Sequence, residues 1–117
     1  MSYNPGTHLI ATLHTDDVSL LKQHHLFRSL ADNFISEHGL QKLGEVYHDF
    51  APAGFTAVIC LSESHISIHT WPEHGRINID IYLSNYLREN DGTVTSIYNK
   101  IKDHFIASVD EVQTIKR

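Results

Sequence analysis

The sequence predicts an α+β fold: a single-domain sandwich in which a mainly antiparallel sheet carries two helices packed on one face. Three observations carry that expectation. Short runs of alternating or continuous apolar residues recur along the chain, and two longer stretches instead show three- and four-residue apolar spacing. Their order is strand, helix, several strands, helix, strand. A chain of 117 residues has room for one core of ordinary size, and no repeat, low-complexity run or linker divides it.

Residues 8–13 (HLIATL) read as a short, mostly buried strand. Thr15, Asp16 and Asp17 then supply an N-cap and acidic first turn for a helix. Leu20, Leu21, Phe27, Leu30, Ala31 and Phe34 give that helix one apolar face, and Gly39 is its natural stop. Residues 43–50 form a second strand, broken by Ala51-Pro52-Ala53-Gly54. Residues 55–61 (FTAVICL) are a nearly continuous apolar run, as expected of a central strand. Residues 65–69 (HISIH) and 77–82 (INIDIY) alternate strictly. Asn90-Asp91-Gly92 makes a loop, and Thr93 is placed to cap a second helix striped by Val94, Ile97, Tyr98, Ile101 and Phe105. Residues 108–115 complete the pattern as a last strand.

Composition narrows the function classes. Apolar residues make up 41% and charged residues 20%, which excludes a disordered chain. The net charge of -5 and the scattered Lys and Arg argue against nucleic acid or an anionic membrane as partner. The N-terminus lacks the blocks of a signal peptide, and one cysteine, Cys60, allows no intrachain disulfide. A cytoplasmic protein is expected.

The chemistry concentrates in residues 61–73, LSESHISIHTWPE, which crowd serines, histidines and acids into a region patterned as sheet. His65 and His69 have the spacing of a metal pair on a helix, but four strand residues span about 13 Å, too far for one ion. No metal is expected. Ser64 lacks the flanking glycines of a hydrolase elbow. Polar residues lining the open face of a sheet are the bland alternative.

The run from Ser62 through Glu63, Ser64, His65, Ile66, Ser67, Ile68, His69, Thr70, Trp71 and Pro72 to Glu73 resembles the processing-site signature of bacterial S-adenosylmethionine decarboxylases. The likeness extends to Gly6-Thr7-His8-Leu9 and to Tyr47-His48-Asp49-Phe50-Ala51-Pro52, and it is strongest between residues 44 and 82. The resemblance implies a precursor that cuts itself between Glu63 and Ser64 into residues 1–63 and 64–117. The Ser64 hydroxyl would attack the Glu63 carbonyl. Elimination and hydrolysis would then leave a covalent pyruvoyl group at position 64, so no diffusible cofactor is needed. That group would form a Schiff base with the substrate amine and accept the electrons released with carbon dioxide. His69 would take the Ser64 α-proton, work for which an imidazole is the usual side-chain base near neutral pH. Thr56 stands where the family has a hydroxyl residue that assists processing. Glu73 corresponds to the acid that grips ribose hydroxyls, and Phe50 to the ring that stacks on adenine. The partner is thus a small molecule, and the family pattern implies a homodimer with sites near the subunit interface.

Two positions depart from that pattern. Ser84 replaces the cysteine that returns a proton to the substrate carbon, and Thr12 replaces a glutamate of the first strand. Two alternatives therefore stand beside S-adenosylmethionine decarboxylation for the polyamine pathway. One is a pyruvoyl decarboxylase of arginine or ornithine; the other is an uncleaved pseudoenzyme with a binding or regulatory role.

Overall fold

The computed structural model describes residues 3–117. Six strands form one sheet: β1 (Thr7–His14), β2 (Lys42–Asp49), β3 (Phe55–Leu61), β4 (Ser64–Trp71), β5 (Arg76–Leu83) and β6 (Ser108–Lys116). Their order is β2-β3-β4-β5-β1-β6, and each neighbouring pair is antiparallel. The two helices are α1 (His25–Glu37) and α2 (Asp91–His104).

Strict alternation decides which face each strand buries. Leu9, Ala11 and Leu13 of β1, Ala57 and Ile59 of β3, Ile66 and Ile68 of β4, and Ile77, Ile79 and Ile81 of β5 all point into one core. Phe27, Ala31 and Phe34 of α1 and Val94, Ile97 and Ile101 of α2 close that core from the same side. The Phe27 ring lies 5.8 Å from that of Phe55 and 6.1 Å from that of Phe105. Each such fully buried side chain contributes about 1.5–3 kcal/mol of burial. Among the described residues, no helix covers the opposite face. Ile10, Val46 and Val58 stand exposed there among His65, Ser67 and His69.

The expected architecture holds, with three refinements. Every strand pairing is antiparallel rather than mainly so. The first helix begins later than Thr15-Asp16-Asp17 suggest. Asp17 does cap, accepting from the Ser19 N–H at 3.1 Å, but what it caps is a 3-10 turn, Val18–Leu21. A continuous helix is prevented because its carbonyls are taken elsewhere: Leu21 O accepts from the Thr70 hydroxyl and Lys22 O from the Gly54 N–H. Thr93 lies inside α2, whose N-cap position is Asn90.

Two glycines are needed where they stand. Gly75 turns β4 into β5 at φ 61°, a left-handed conformation. Gly6 meets β5 so closely that a Cβ there would collide with Leu83 O and sit 2.9 Å from Ser84 Cα. Among the described residues no helix is long and apolar enough to cross a membrane.

Candidate active site

β3 and β4 are joined by a two-residue turn, Ser62-Glu63, with Leu61 paired to Ser64. Ser64 follows that turn with φ 138°, a region that a residue with a Cβ rarely adopts. Such backbone costs of order 1–3 kcal/mol and persists only where the surroundings enforce it. The surroundings are visible here. Ser84 N–H donates to Glu63 O at 2.8 Å, so the carbonyl before Ser64 is held from outside. The Glu63 side chain is nearly buried, and Arg88 grips it at both oxygens, each at 3.1 Å. Asn90 Nδ2 donates to Glu63 Oε2 at 3.2 Å and to Ser84 O at 2.9 Å. This explains why Asn90, at the N-cap of α2, gives its helix no side-chain bond. Its amide is turned to the hairpin instead.

Around Ser64 the open face is rich in histidine. Ser64 Oγ lies 3.4 Å from His65 Nδ1. His65 Nε2 lies 3.2 Å from Asp80 Oδ1, and His8 Nε2 lies 2.6 Å from the same oxygen. Antiparallel register brings these together, since His65 pairs with Tyr82 of β5, which in turn pairs with His8 of β1. His65 and His69 share β4 but not a ligand, because four strand residues separate them.

A second cluster occupies the far end of the hairpin. Phe50, Pro52, Thr56, His69, Trp71 and Glu73 line a cavity of about 580 Å³, within the range of small-molecule sites. The Thr56 hydroxyl is hydrogen-bonded to His69 Nδ1, across a pair in direct register. Trp71 Nε1 donates to Asn78 Oδ1 at 2.8 Å, and Asn78 Nδ2 donates to Thr12 Oγ1 at 3.1 Å. Thr12 is thereby tied to the wall of this cavity.

The residues singled out in the sequence thus fall into two groups. Glu63, Ser64 and Ser84 meet at the β3–β4 turn, whereas Phe50, Thr56, His69 and Glu73 meet at the cavity. Five residue steps take the strand from Ser64 to His69, about 16 Å along β4. Sequence reasoning missed His8, His65, Asp80, Arg88 and Asn90 as site residues. The first three lie on outward positions of alternating strands, a signal present in the sequence, but only the strand order makes them neighbours.

Comparison with known proteins identifies the family and the fold. The family model for S-adenosylmethionine decarboxylase matches residues 7–117. The S-adenosylmethionine decarboxylase proenzyme of Archaeoglobus fulgidus is 40% identical over 77 residues, covering 66% of this chain and 69% of that protein. The proenzyme of Persephonella marina is 44% identical over 77 residues, covering 66% of this chain and 58% of its own length. The crystal structure of the adenosylmethionine decarboxylase from Aquifex aeolicus superposes with a TM-score of 0.80 at 27% identity, covering 99% of this chain and 91% of that one. A fold shared along nearly its whole length and a family match over residues 7–117 lead to one conclusion: the chain belongs to the S-adenosylmethionine decarboxylase family.

Proposed function

We propose that this chain is a precursor that cuts itself between Glu63 and Ser64, carries a pyruvoyl group at position 64 and decarboxylates S-adenosylmethionine. The observation that carries the reading is Ser64 at φ 138° behind a carbonyl held by the Ser84 N–H. A backbone donor at 2.8 Å stabilises negative charge developing on Glu63 O during attack. Strain at Ser64 is relieved when the bond is cut, which favours products over precursor.

The residues present suit a pyruvoyl group. Position 64 would open the new chain, residues 64–117, beside Ser84 and His65. When formed, the group supplies an electron sink for the electrons that carbon dioxide leaves behind. The chain's own residues do the remaining work. Glu73 accepts hydrogen bonds from paired ribose hydroxyls, and the half-exposed Phe50 ring covers an adenine. Thr56 holds His69 in one orientation. Ser84, whose N–H donates to Glu63 O, would return a proton to the reacting carbon. No other cofactor or metal enters this reading.

The 16 Å between Ser64 and His69 supports a homodimer, in which one copy's cavity faces the other copy's turn. Ile10, Val46 and Val58 on the open face supply apolar surface for such contact. The product would serve as aminopropyl donor for polyamine synthesis, in the cytoplasm.

The test is an intact mass followed by carbon dioxide release with S-adenosylmethionine, arginine and ornithine in parallel. Two fragments, and release from S-adenosylmethionine, are expected. A single uncut chain after long incubation rejects the enzyme. Release from a basic amino acid alone rejects the substrate and keeps the cut.

A further inference from the structure

We infer that His65, oriented by Asp80, is the base that takes the Ser64 hydroxyl proton when the Glu63–Ser64 peptide rearranges. The inference rests on the self-cleavage reading above. It concerns a step that His69 of the same chain, about 16 Å away along β4, does not reach.

Hydrogen bonding determines which nitrogen carries each proton. Arg117 has only donors, and its Nη1 lies 3.0 Å from His8 Nδ1. His8 Nδ1 is therefore the acceptor, and its Nε2–H donates to Asp80 Oδ1 at 2.6 Å. The same carboxylate oxygen lies 3.2 Å from His65 Nε2, which therefore donates to it. That leaves the His65 Nδ1 lone pair facing Ser64 Oγ at 3.4 Å. A serine hydroxyl, a ring with its free nitrogen toward it and a carboxylate behind that ring form an activated-nucleophile arrangement. The contact is long, as such contacts are before the reacting groups close up.

The backbone makes the contact. Adjacent side chains on a regular strand point to opposite faces. Ser64 escapes that rule because its φ is 138°. The strained residue is thus the one whose hydroxyl meets its neighbour's ring.

The step balances within the chain. Ser64 Oγ bonds to the Glu63 carbonyl carbon as its proton passes to His65 Nδ1, and the Ser84 N–H receives the oxyanion. The bond from that carbon to the Ser64 nitrogen then breaks, and the proton on His65 passes to the departing amine. An ester and a free amine result, with no proton gained or lost overall.

His8, His65 and Asp80 also have donor atoms within 4.8 Å of one another, a spacing a metal ion accepts. The hydrogen bonds argue against that use. Metal at His8 Nε2 would put a proton on Nδ1, against the donating Arg117.

The experiment follows the full chain from synthesis in a cell-free system on a denaturing gel. His65→Gln should slow first-order cleavage about a hundredfold. Hydroxylamine should not rescue it, because no ester has formed, whereas it should cut a His69→Ala chain that has stalled at the ester. Imidazole added to His65→Ala should restore cleavage, which a packing role would not allow. Asp80→Asn should slow cleavage about tenfold alone but add little to His65→Gln, as two members of one relay do. An uncut parent chain sinks both this inference and the self-cleavage reading. A parent that cuts while His65→Gln cuts equally fast sinks this one alone, as does cleavage that a chelator stops. If His65→Gln does not fold, Asp80→Asn decides, and parental speed there overturns the assignment.

Discussion

Ser64 joins a side chain that the proposed cleavage needs to a backbone conformation that favours glycine. Replacing it by glycine separates them. Ser64→Gly should stay a single chain because it has no hydroxyl. It should also melt higher than Ser64→Ala, by about 1–2 kcal/mol in unfolding free energy, because glycine adopts the positive φ without strain. Equal stability of the two variants would show that the turn is not strained. In the proposed mechanism Ser84 acts through two atoms. Its backbone N–H holds Glu63 O whatever its side chain is, so changing the side chain leaves that bond in place. A thiol, with a pKa near 8.5, releases a proton far more readily than an aliphatic hydroxyl. Ser84→Cys should therefore raise kcat about tenfold while leaving the rate of chain cleavage nearly unchanged. Steady-state turnover beside a cleavage time course would check both halves.

At the scale of elements, α1 shows how a tertiary contact overrides a local signal. Thr15, Asp16 and Asp17 are good cap residues, and Asp17 does cap, yet the turn ends at Leu21 because Thr70 and Gly54 claim the next carbonyls. The helix restarts at His25 with a borrowed cap: Asp49 Oδ1 accepts from the His24 N–H at 2.9 Å and lies 3.0 Å from its ring Nδ1. Asp49→Ala should lower unfolding stability by about 1 kcal/mol, the usual worth of a cap, measured by denaturant midpoint at constant slope. No effect would mean that α1 is held by its Phe27 and Phe34 face alone. Asn90 is the reverse case, a cap side chain surrendered to the site, where it bonds Glu63 and the Ser84 carbonyl.

At the scale of the whole molecule, the two clusters on β4 predict complementation between copies. Ser64→Ala and His69→Ala chains should each fail to form pyruvoyl alone. Mixed in one dimer, they should form it at the intact Ser64, served by the partner's intact His69. Mass spectrometry of a co-expressed pair checks this, and no product from the mixture would confine the chemistry to one subunit. Asp91 links distant segments of the fold. Its carboxyl is held down to a pKa of about 2 by Lys116 first, then by Thr7 and Asn85. The folded value lies below the ordinary 3.8, so the unfolded chain binds the proton more readily. The group therefore contributes stability above about pH 3.8 and loses it as pH falls toward 2. Asp91→Asn should flatten the acid side of the stability curve in that window. The difference should shrink in salt, since the carboxyl is partly exposed.

What was legible in the sequence was whatever repeats along the chain. Alternation in residues 65–69 and 77–82, apolar continuity in 55–61 and the stripe of α2 determined the element types and the buried face, because a strand or helix places its side chains by its own period. The run from Ser62 to Glu73 likewise marked the proposed cleavage site, since Glu63 and Ser64 are adjacent in sequence. The tertiary structure decided which elements are neighbours. His8, His65 and Asp80 come from three strands, and β1 lies beside β5 rather than β2, so no local pattern joins them. It also decided that Ser64 and His69, five residues apart, stand too far apart to meet. An extended strand moves about 3.3 Å per residue, so nearness in sequence becomes distance in space.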